Sequence, residues 1–491
     1  MKEISYKKTA FKFFGFVLLF LCFVLLYIWV GYLPLAVFFI LFLAWAVSYR
    51  LDIGWYILVF ISPLINWVIS FERFPSFFSG FYRLEQVNAP AVEFWAILLL
   101  IAFVINKFRG FFKGESEQVN LPGFHLFALF ILSAVVSLIN LSSVEIVGGI
   151  KYIFHFLLLF YFGYVMLGAN IANDKKIWEK SLAVFASIGF LGAAMGFVSF
   201  VFGWGAVAGG MRRAAPFSIG GWAPFGDQHI FLAETITSVL PIFLYFWYKN
   251  KNTARGKYYG AATIFVLIIG LLTLSRAGWL TMAVEAVVFV YLMRKKIDFK
   301  KYARKFQFLI AIFIVPLFVY LVYFLTASPI VRSSTAARWY LANISWFLFK
   351  EHPFIGQGVG SFLSRAGEIG IFRFEFGDPL DAHGIAQKLL AEQGIFGLLT
   401  FGLFIGWIVF IIYKRYRDER YTEEARLAYF VSLFLVLSPL IFQLFNTQFY
   451  SSKMWVPIAL AVAQSIAYSS ETLFANLKIN FARKKKFVSK I

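Results

Sequence analysis

Cysteine is nearly absent. The one thiol, Cys22, lies inside an apolar run, which excludes a disulfide framework and a thiolate metal site. Charge is scarce as well: 14% of the 491 residues are Asp, Glu, Lys or Arg. A soluble domain cannot hide the 61% that are hydrophobic, at a mean hydropathy of +0.76. Acidic residues are the scarcer sign, 25 against 46 basic, and the net charge is +21. Such an excess can mark a nucleic-acid partner. Here the basic residues form short clusters between hydrophobic runs and read as topology determinants, so no nucleic acid is expected. Polar loops hold no His-x-x-x-His pair, no cysteine cluster and no close carboxylate pair of D-x-D type. The chemistry is therefore expected to need neither metal nor cofactor. No internal repeat is visible, which argues against two similar halves.

What the chain does have is long apolar runs. A span takes about 20 residues, and about 14 such runs begin near Phe13, Pro34, Gly54, Val92, His125, Ile150, Leu182, His229, Tyr259, Gly278, Phe308, Ile395, Tyr429 and Met454. The second and third are short, so one is expected to be re-entrant or interfacial. The basic N-terminus (Met1–Lys12) precedes an apolar run with no small-residue cleavage site, and reads as an uncleaved first span. The expected fold is an all-α polytopic membrane protein of about 12–14 transmembrane helices. Spans one to eleven occupy 1–326, a polar excursion 327–394, spans twelve to fourteen 395–470, and a basic tail 471–491. Alternate connections hold about 33 of the 46 Lys and Arg, which by the positive-inside rule puts both termini in the cytoplasm. The long excursion then lies outside. The tail is expected to touch anionic lipid.

Basic residues on the outer side run against that bias and call for a reason. Arg276, in the turn T-L-S-R-A-G-W-L (Thr273–Leu280), sits at or just inside the membrane surface, where a guanidinium either snorkels or faces a phosphate. Arg212 and Arg213 follow Gly209 and Gly210 in the loop before span eight; either could act, since neighbours on a loop point apart. His229, at the mouth of that span, is a secondary candidate. Arg338 opens an amphipathic helix to Lys350 that should lie on the membrane surface. Pro353 ends it, and Gly356, Gly358 and Gly360 make a flexible turn that lacks the Lys-Ser/Thr ending of a P-loop. Asp381 is a good helix N-cap, Gly394 a plausible stop, and His383 then falls in the first helical turn. The helix dipole disfavours imidazolium while Asp378 and Asp381 favour it, so His383 is expected to titrate near working pH. Glu234 and Glu285 lie inside spans eight and ten, either functional or paired with arginines.

The S-R-x-G turn (Ser275, Arg276, Gly278), the R-W…H-P-F-I-G-Q-G-V-G segment (Arg338–Gly360) and the H-x8-E-x-G-x2-G block (His383, Glu392, Gly394, Gly397) occur in an order that resembles the O-antigen ligase/polymerase family of bacterial integral membrane glycosyltransferases. The resemblance covers about Arg212 to Gly397. It departs at Gly384, where the family commonly has Asn. The resemblance implies a bundle similar to the C-type glycosyltransferases, with one large extracytoplasmic loop containing helices. It also implies transfer of a glycan from undecaprenyl diphosphate at the outer face of the bacterial inner membrane. The acceptor is lipid A-core for a ligase, or another lipid-linked repeat for a polymerase. Arg276, Arg212, Arg213 and Arg338 are expected to hold the diphosphate, and His383 to take the acceptor's proton. The rival from another class is a lipid-linked-oligosaccharide flippase.

Overall fold

The computed structural model describes residues 33–70, 88–114, 118–204, 207–208, 211–293, 329–370, 374, 381–446 and 451–468. The first span, the eleventh and the basic tail lie outside the described residues, as do Cys22 and Asp378.

Helix α1 (Leu33–Val47) and α2 (Leu51–Ile61) meet at 113°, so spans two and three form one sharply bent pair. The bend frees backbone at Ser48, and the Asn106 amide donates to that carbonyl at 2.9 Å. A polar side chain thus satisfies what the broken helix leaves open, as an apolar medium requires. A short ribbon, β1 (Val68–Ser70) against β2 (Asn88–Pro90), precedes α3 (Ala91–Phe112). Next come α4 (Phe124–Ser137), α5 (Ile146–Ile171, widened to π geometry over Ile153–Leu158 and Phe160–Met166) and α6 (Lys175–Phe202). Asp174 caps α6 by accepting from the Lys176 and Ile177 amides. A second ribbon, β3 (Val207–Ala208) with β4 (Met211–Arg212), leads to α7 (His229–Lys249), α8 (Ala254–Leu272) and α9 (Arg276–Met293). The polar excursion contributes α10 (Pro329–Glu351) and α11 (Phe362–Glu368), and the chain closes with α12 (Ile385–Arg417), α13 (Glu423–Gln443) and α14 (Ser452–Ala467).

Among the described residues, seven helices are long and apolar enough to cross a membrane, or eight if the bent pair is one span. The chain is an all-α, multi-pass membrane protein. Its centre is α7, α13 and α14, buried on nearly every side, while α8 shows most of its surface to lipid. Trp178 locks α6 to α14 by donating to the Leu460 carbonyl at 2.8 Å.

The excursion has its own small core: Leu341, Ile344 and Leu348 of α10, Phe362 and Ala366 of α11, with Ala382 and Ala391. This core carries His383 on its edge. The glycine turn, expected to be flexible, is instead clamped into a break in α12. Gly394 leaves helical geometry (φ 63, ψ −159), and the opened backbone pairs with 353–358. Gln357 N donates to Ala391 O (2.8 Å), Gly358 N to Glu392 O (2.9 Å), and Ile395 N to Pro353 O (2.9 Å). A side chain at Gly356 would run into Glu392 backbone at 2.3 Å, and one at Gly394 into Phe354 backbone at 2.4 Å. Glycine is needed there for main chain to meet main chain.

Candidate active site

The T-L-S-R turn sets Arg276 by a strained backbone. Leu274 adopts φ 53, a conformation that costs a residue with a Cβ about 1–2 kcal/mol. Ser275 immediately precedes α9, its hydroxyl accepting from Gly278 N at 3.3 Å. Gly278 lets α9 lie close to Ala233 of α7. Arg276 therefore emerges beside the start of α7, half-buried, and its guanidinium donates to Thr335 Oγ1 (2.7 Å) and Ser334 Oγ (3.1 Å) on α10.

The second ribbon separates the two adjacent arginines, because successive residues of an extended chain face opposite ways. Arg212 turns back across Gly203 and donates to the Val201 carbonyl at 3.3 Å, exposed. Arg213 turns inward and donates to His229 Nε2 at 3.2 Å. The next residue anchors this arrangement: Ala214 N donates to Leu272 O (2.9 Å), at the end of α8 and four residues before Arg276.

The charges report the same convergence. The Arg276 charge acts on both Arg213 and Arg338, and burial together with that charge pushes both guanidinium pKa values down. The charges of Arg213 and Arg338 both reach the His229 ring. Arg338 also acts on His383. Among the described residues no carboxylate pairs with Arg213, Arg276 or Arg338, and Arg213 Nε and Arg338 Nε are buried without a hydrogen-bond partner. Arg365 differs: it pairs with Glu145 (3.4 Å) and Glu368 (3.6 Å).

His383 departs from expectation in two ways. It precedes helix α12, which begins at Ile385 with Gly384 as the extended cap residue. Gly384 is held against the end of α13, where a Cβ would stand 2.6 Å from Leu444 O. Asp381 consequently caps nothing in α12. Its carboxylate accepts from the neighbouring Ala382 N (2.9 Å) and pairs with Lys388 (2.5 Å). Nor does His383 titrate near neutrality: burial first, then the Arg338 charge, lower it to about 4 against the opposing pull of Asp381. The ring is neutral at pH 7, and its Nδ1 is buried with no partner among the described residues.

Sequence reasoning missed two buried lysines. Lys388, 5% exposed, lies between Asp381 and Glu392 (3.8 Å), and Glu392 in turn accepts from Phe362 N at 3.1 Å. The i,i+4 spacing of Lys388 and Glu392 was the available signal. Lys453 of α14 donates to Phe231 O (3.2 Å) and its charge faces Glu234, which accepts from Gln443 at 2.5 Å. Glu234 thus meets a lysine and an amide rather than an arginine. Glu285 lies apart from the arginines, in the wall of an apolar cavity of about 670 Å³ with Pro241, Met282 and Phe434. Among the described residues no three His, Cys, Asp or Glu side chains form a metal-ligand group.

Residues 261–402 match the family model described as O-antigen ligase. Over that segment the match supports a similarity to the O-antigen ligase/polymerase family. No curated protein matches it. The matched O-antigen ligase segment runs from α8 into α12 and contains Arg276, Arg338 and His383, while Arg212 and Arg213 lie before it. The family assigns a glycosyltransferase-like role in surface polysaccharide synthesis.

Proposed function

We propose that the protein transfers a glycan from undecaprenyl diphosphate to an acceptor hydroxyl at the outer face of the bacterial inner membrane. The observation that carries this reading is the meeting of three guanidinium groups that no described carboxylate neutralises, beside a neutral imidazole. A diphosphate leaving group brings two or more negative charges, and fixed cations stabilise the charge that builds as the glycosidic bond breaks. Arg213, Arg276 and Arg338 bind that diphosphate. Arg212, bonded to the Val201 carbonyl, contributes little.

His383 accepts the proton of the acceptor hydroxyl. In the free protein its conjugate acid is too strong for an efficient base, since burial first and then the Arg338 charge hold it down to about 4. The entering diphosphate offsets that guanidinium and so raises the imidazole pKa by the part of the shift that Arg338 causes. The base therefore gains strength when the donor is in place, which favours attack by the acceptor over idle proton exchange. The proton moves from the hydroxyl to His383, the hydroxyl oxygen attacks the anomeric carbon, and undecaprenyl diphosphate departs with the bonding pair. Direct attack inverts the anomeric centre.

Reconstitution with a labelled undecaprenyl-diphosphate glycan tests this. Release of undecaprenyl diphosphate with glycan on lipid A-core is the expected result. Growth of lipid-linked chains without lipid A-core makes the protein a polymerase. Movement of the intact donor across the bilayer, with no bond broken, makes it a flippase.

A further inference from the structure

The loop between α6 and α7 carries a patch of aromatic surface that the diphosphate chemistry does not use. Just past the Gly203 cap of α6, Trp204 stacks on Phe202 (5.2 Å between ring centres) and meets Phe217 edge to face at 5.5 Å. Further along the same loop Trp222 meets Trp67 edge to face at 6.0 Å. Trp204 is 61% exposed and Trp222 50%, large values for a side chain that folded proteins mostly bury. Exposed apolar surface of this extent marks a place where something binds.

Backbone geometry holds Trp222 out. Ile219 and Trp222 exchange both main-chain hydrogen bonds (2.9 and 3.0 Å) around Gly220 and Gly221, whose φ values of 59 and 84 are those of a tight hairpin turn. Nothing lies within 4 Å of a Cβ placed on either glycine, so the tip projects into open space. The base of the loop is anchored on both sides: Ala214 N donates to Leu272 O (2.9 Å), and Pro224 O accepts from Asn66 N (3.2 Å). A ring presented on so fixed a backbone costs little ordering when a ligand binds.

Tryptophans near span ends commonly form a belt in the membrane interface. This patch differs from a belt. Trp204, Phe217 and Trp222 stand on the loop rather than on a helix, and the same loop exposes Ser218 and, just before His229, Asp227 and Gln228. The patch also continues the arginine site. Phe217 is four residues from Arg213, at most about 14 Å of extended chain, and the Arg212 guanidinium lies against Gly203, next to Trp204. A sugar ring has an apolar face of C–H groups and a rim of hydroxyls. The slightly positive C–H groups suit the negative face of an aromatic ring, and carboxylates, amides and hydroxyls suit the rim. Flat rings with polar groups beside them meet both demands, whereas a lipid chain needs only the first.

We propose that Trp204 and Trp222, with Phe217, form a stacking platform for the sugar rings of the donor's glycan, outward of the diphosphate. This rests on the proposed function and deepens it, by naming where the glycan lies. The platform makes a glycan-bearing donor bind more tightly than bare undecaprenyl diphosphate, which meets the arginines alone.

The test measures binding of the labelled undecaprenyl-diphosphate glycan and of bare undecaprenyl diphosphate to the full chain in lipid nanodiscs, for the native protein, W204A/W222A, W204L/W222L and W204Y/W222Y. Each ring is worth about two- to tenfold in affinity, so W204A/W222A should weaken binding of the glycan-bearing donor about four- to a hundredfold and leave the bare lipid unchanged. W204L/W222L keeps apolar surface without a flat ring and should lose as much. W204Y/W222Y keeps the flat ring and should restore most of the affinity. Native-like glycan binding by W204A/W222A or W204L/W222L overturns the inference, and so does an equal loss for both ligands, the result expected of rings that serve only lipid or packing. If the double alanine variant unfolds, W222A at the projecting tip takes its place, with a loss of about two- to tenfold confined to the glycan-bearing donor. Equal binding of the two ligands by the native protein overturns the inference and leaves the proposed function standing; binding of neither overturns both.

Discussion

Two groups of buried or half-buried cations, one inside the excursion and one where it meets the turns at Arg213 and Arg276, treat charge in opposite ways. Lys388 is held between Asp381 and Glu392, and Glu392 is satisfied further by the Phe362 amide. Arg213, Arg276 and Arg338 have hydroxyl and imidazole neighbours but no described carboxylate. Desolvating a cation is costly, and a protein that needs one only for its fold surrounds it with counter-charge. The lysine cluster follows that rule. In the proposed function the arginine cluster takes its counter-charge from the donor diphosphate, the feature that would set it apart from a structural ion pair.

The comparison can be broken most severely at Arg276. Arg276→Ala should reduce transfer below detection with protein level and melting temperature unchanged, and full activity would remove it from the site. His383→Ala should cost about 10²–10⁴-fold in kcat, the range of general base catalysis, with donor affinity retained. The pH profile sharpens this point. Activity requires the neutral ring, so it falls as pH drops through the imidazole pKa. In kcat/KM, which reports the free protein, the acidic limb should lie near the value of about 4 set by burial and Arg338. In kcat the limb should move to higher pH, because bound diphosphate offsets Arg338. Equal limbs would contradict the electrostatic link.

On the other side of the comparison, Lys388→Met should damage folding first. It leaves Asp381 and Glu392 facing each other in a buried place, a loss of about 3–5 kcal/mol, read as a lower melting temperature in detergent. A variant that melts normally yet fails to turn over would move Lys388 from scaffold to site. The smallest effect should come from Arg212→Ala, within about twofold of native activity, as for a surface change away from such features. Arg213→Ala should lower donor affinity much more, and equal effects of the two would erase the division made by the ribbon.

Seven of the expected spans were legible among the described residues because about 20 consecutive apolar residues leave a strong signal. The order of the S-R-x-G, glycine and histidine blocks was legible because each is local. Which of Arg212 and Arg213 turns inward was not, since the answer depends on β3 pairing with β4. The seating of 353–358 in the break at Gly394 was equally hidden, because main-chain hydrogen bonds between distant residues carry no side-chain pattern. His383 misled for a related reason. Its titration follows from burial and from Arg338, 45 positions earlier in sequence, rather than from the adjacent aspartates.

The seating of 353–358 in the gap at Gly394 also fixes how the excursion can move. The far end of α10 is riveted to a membrane helix through peptide groups, so no side-chain rearrangement can release it. The near end, where Ser334 and Thr335 meet Arg276, is joined by side-chain hydrogen bonds, and the middle by the small core of Leu341, Ile344 and Leu348. The Glu351 end of α10 is thereby the fixed reference from which the rest of the helix is positioned over Arg276.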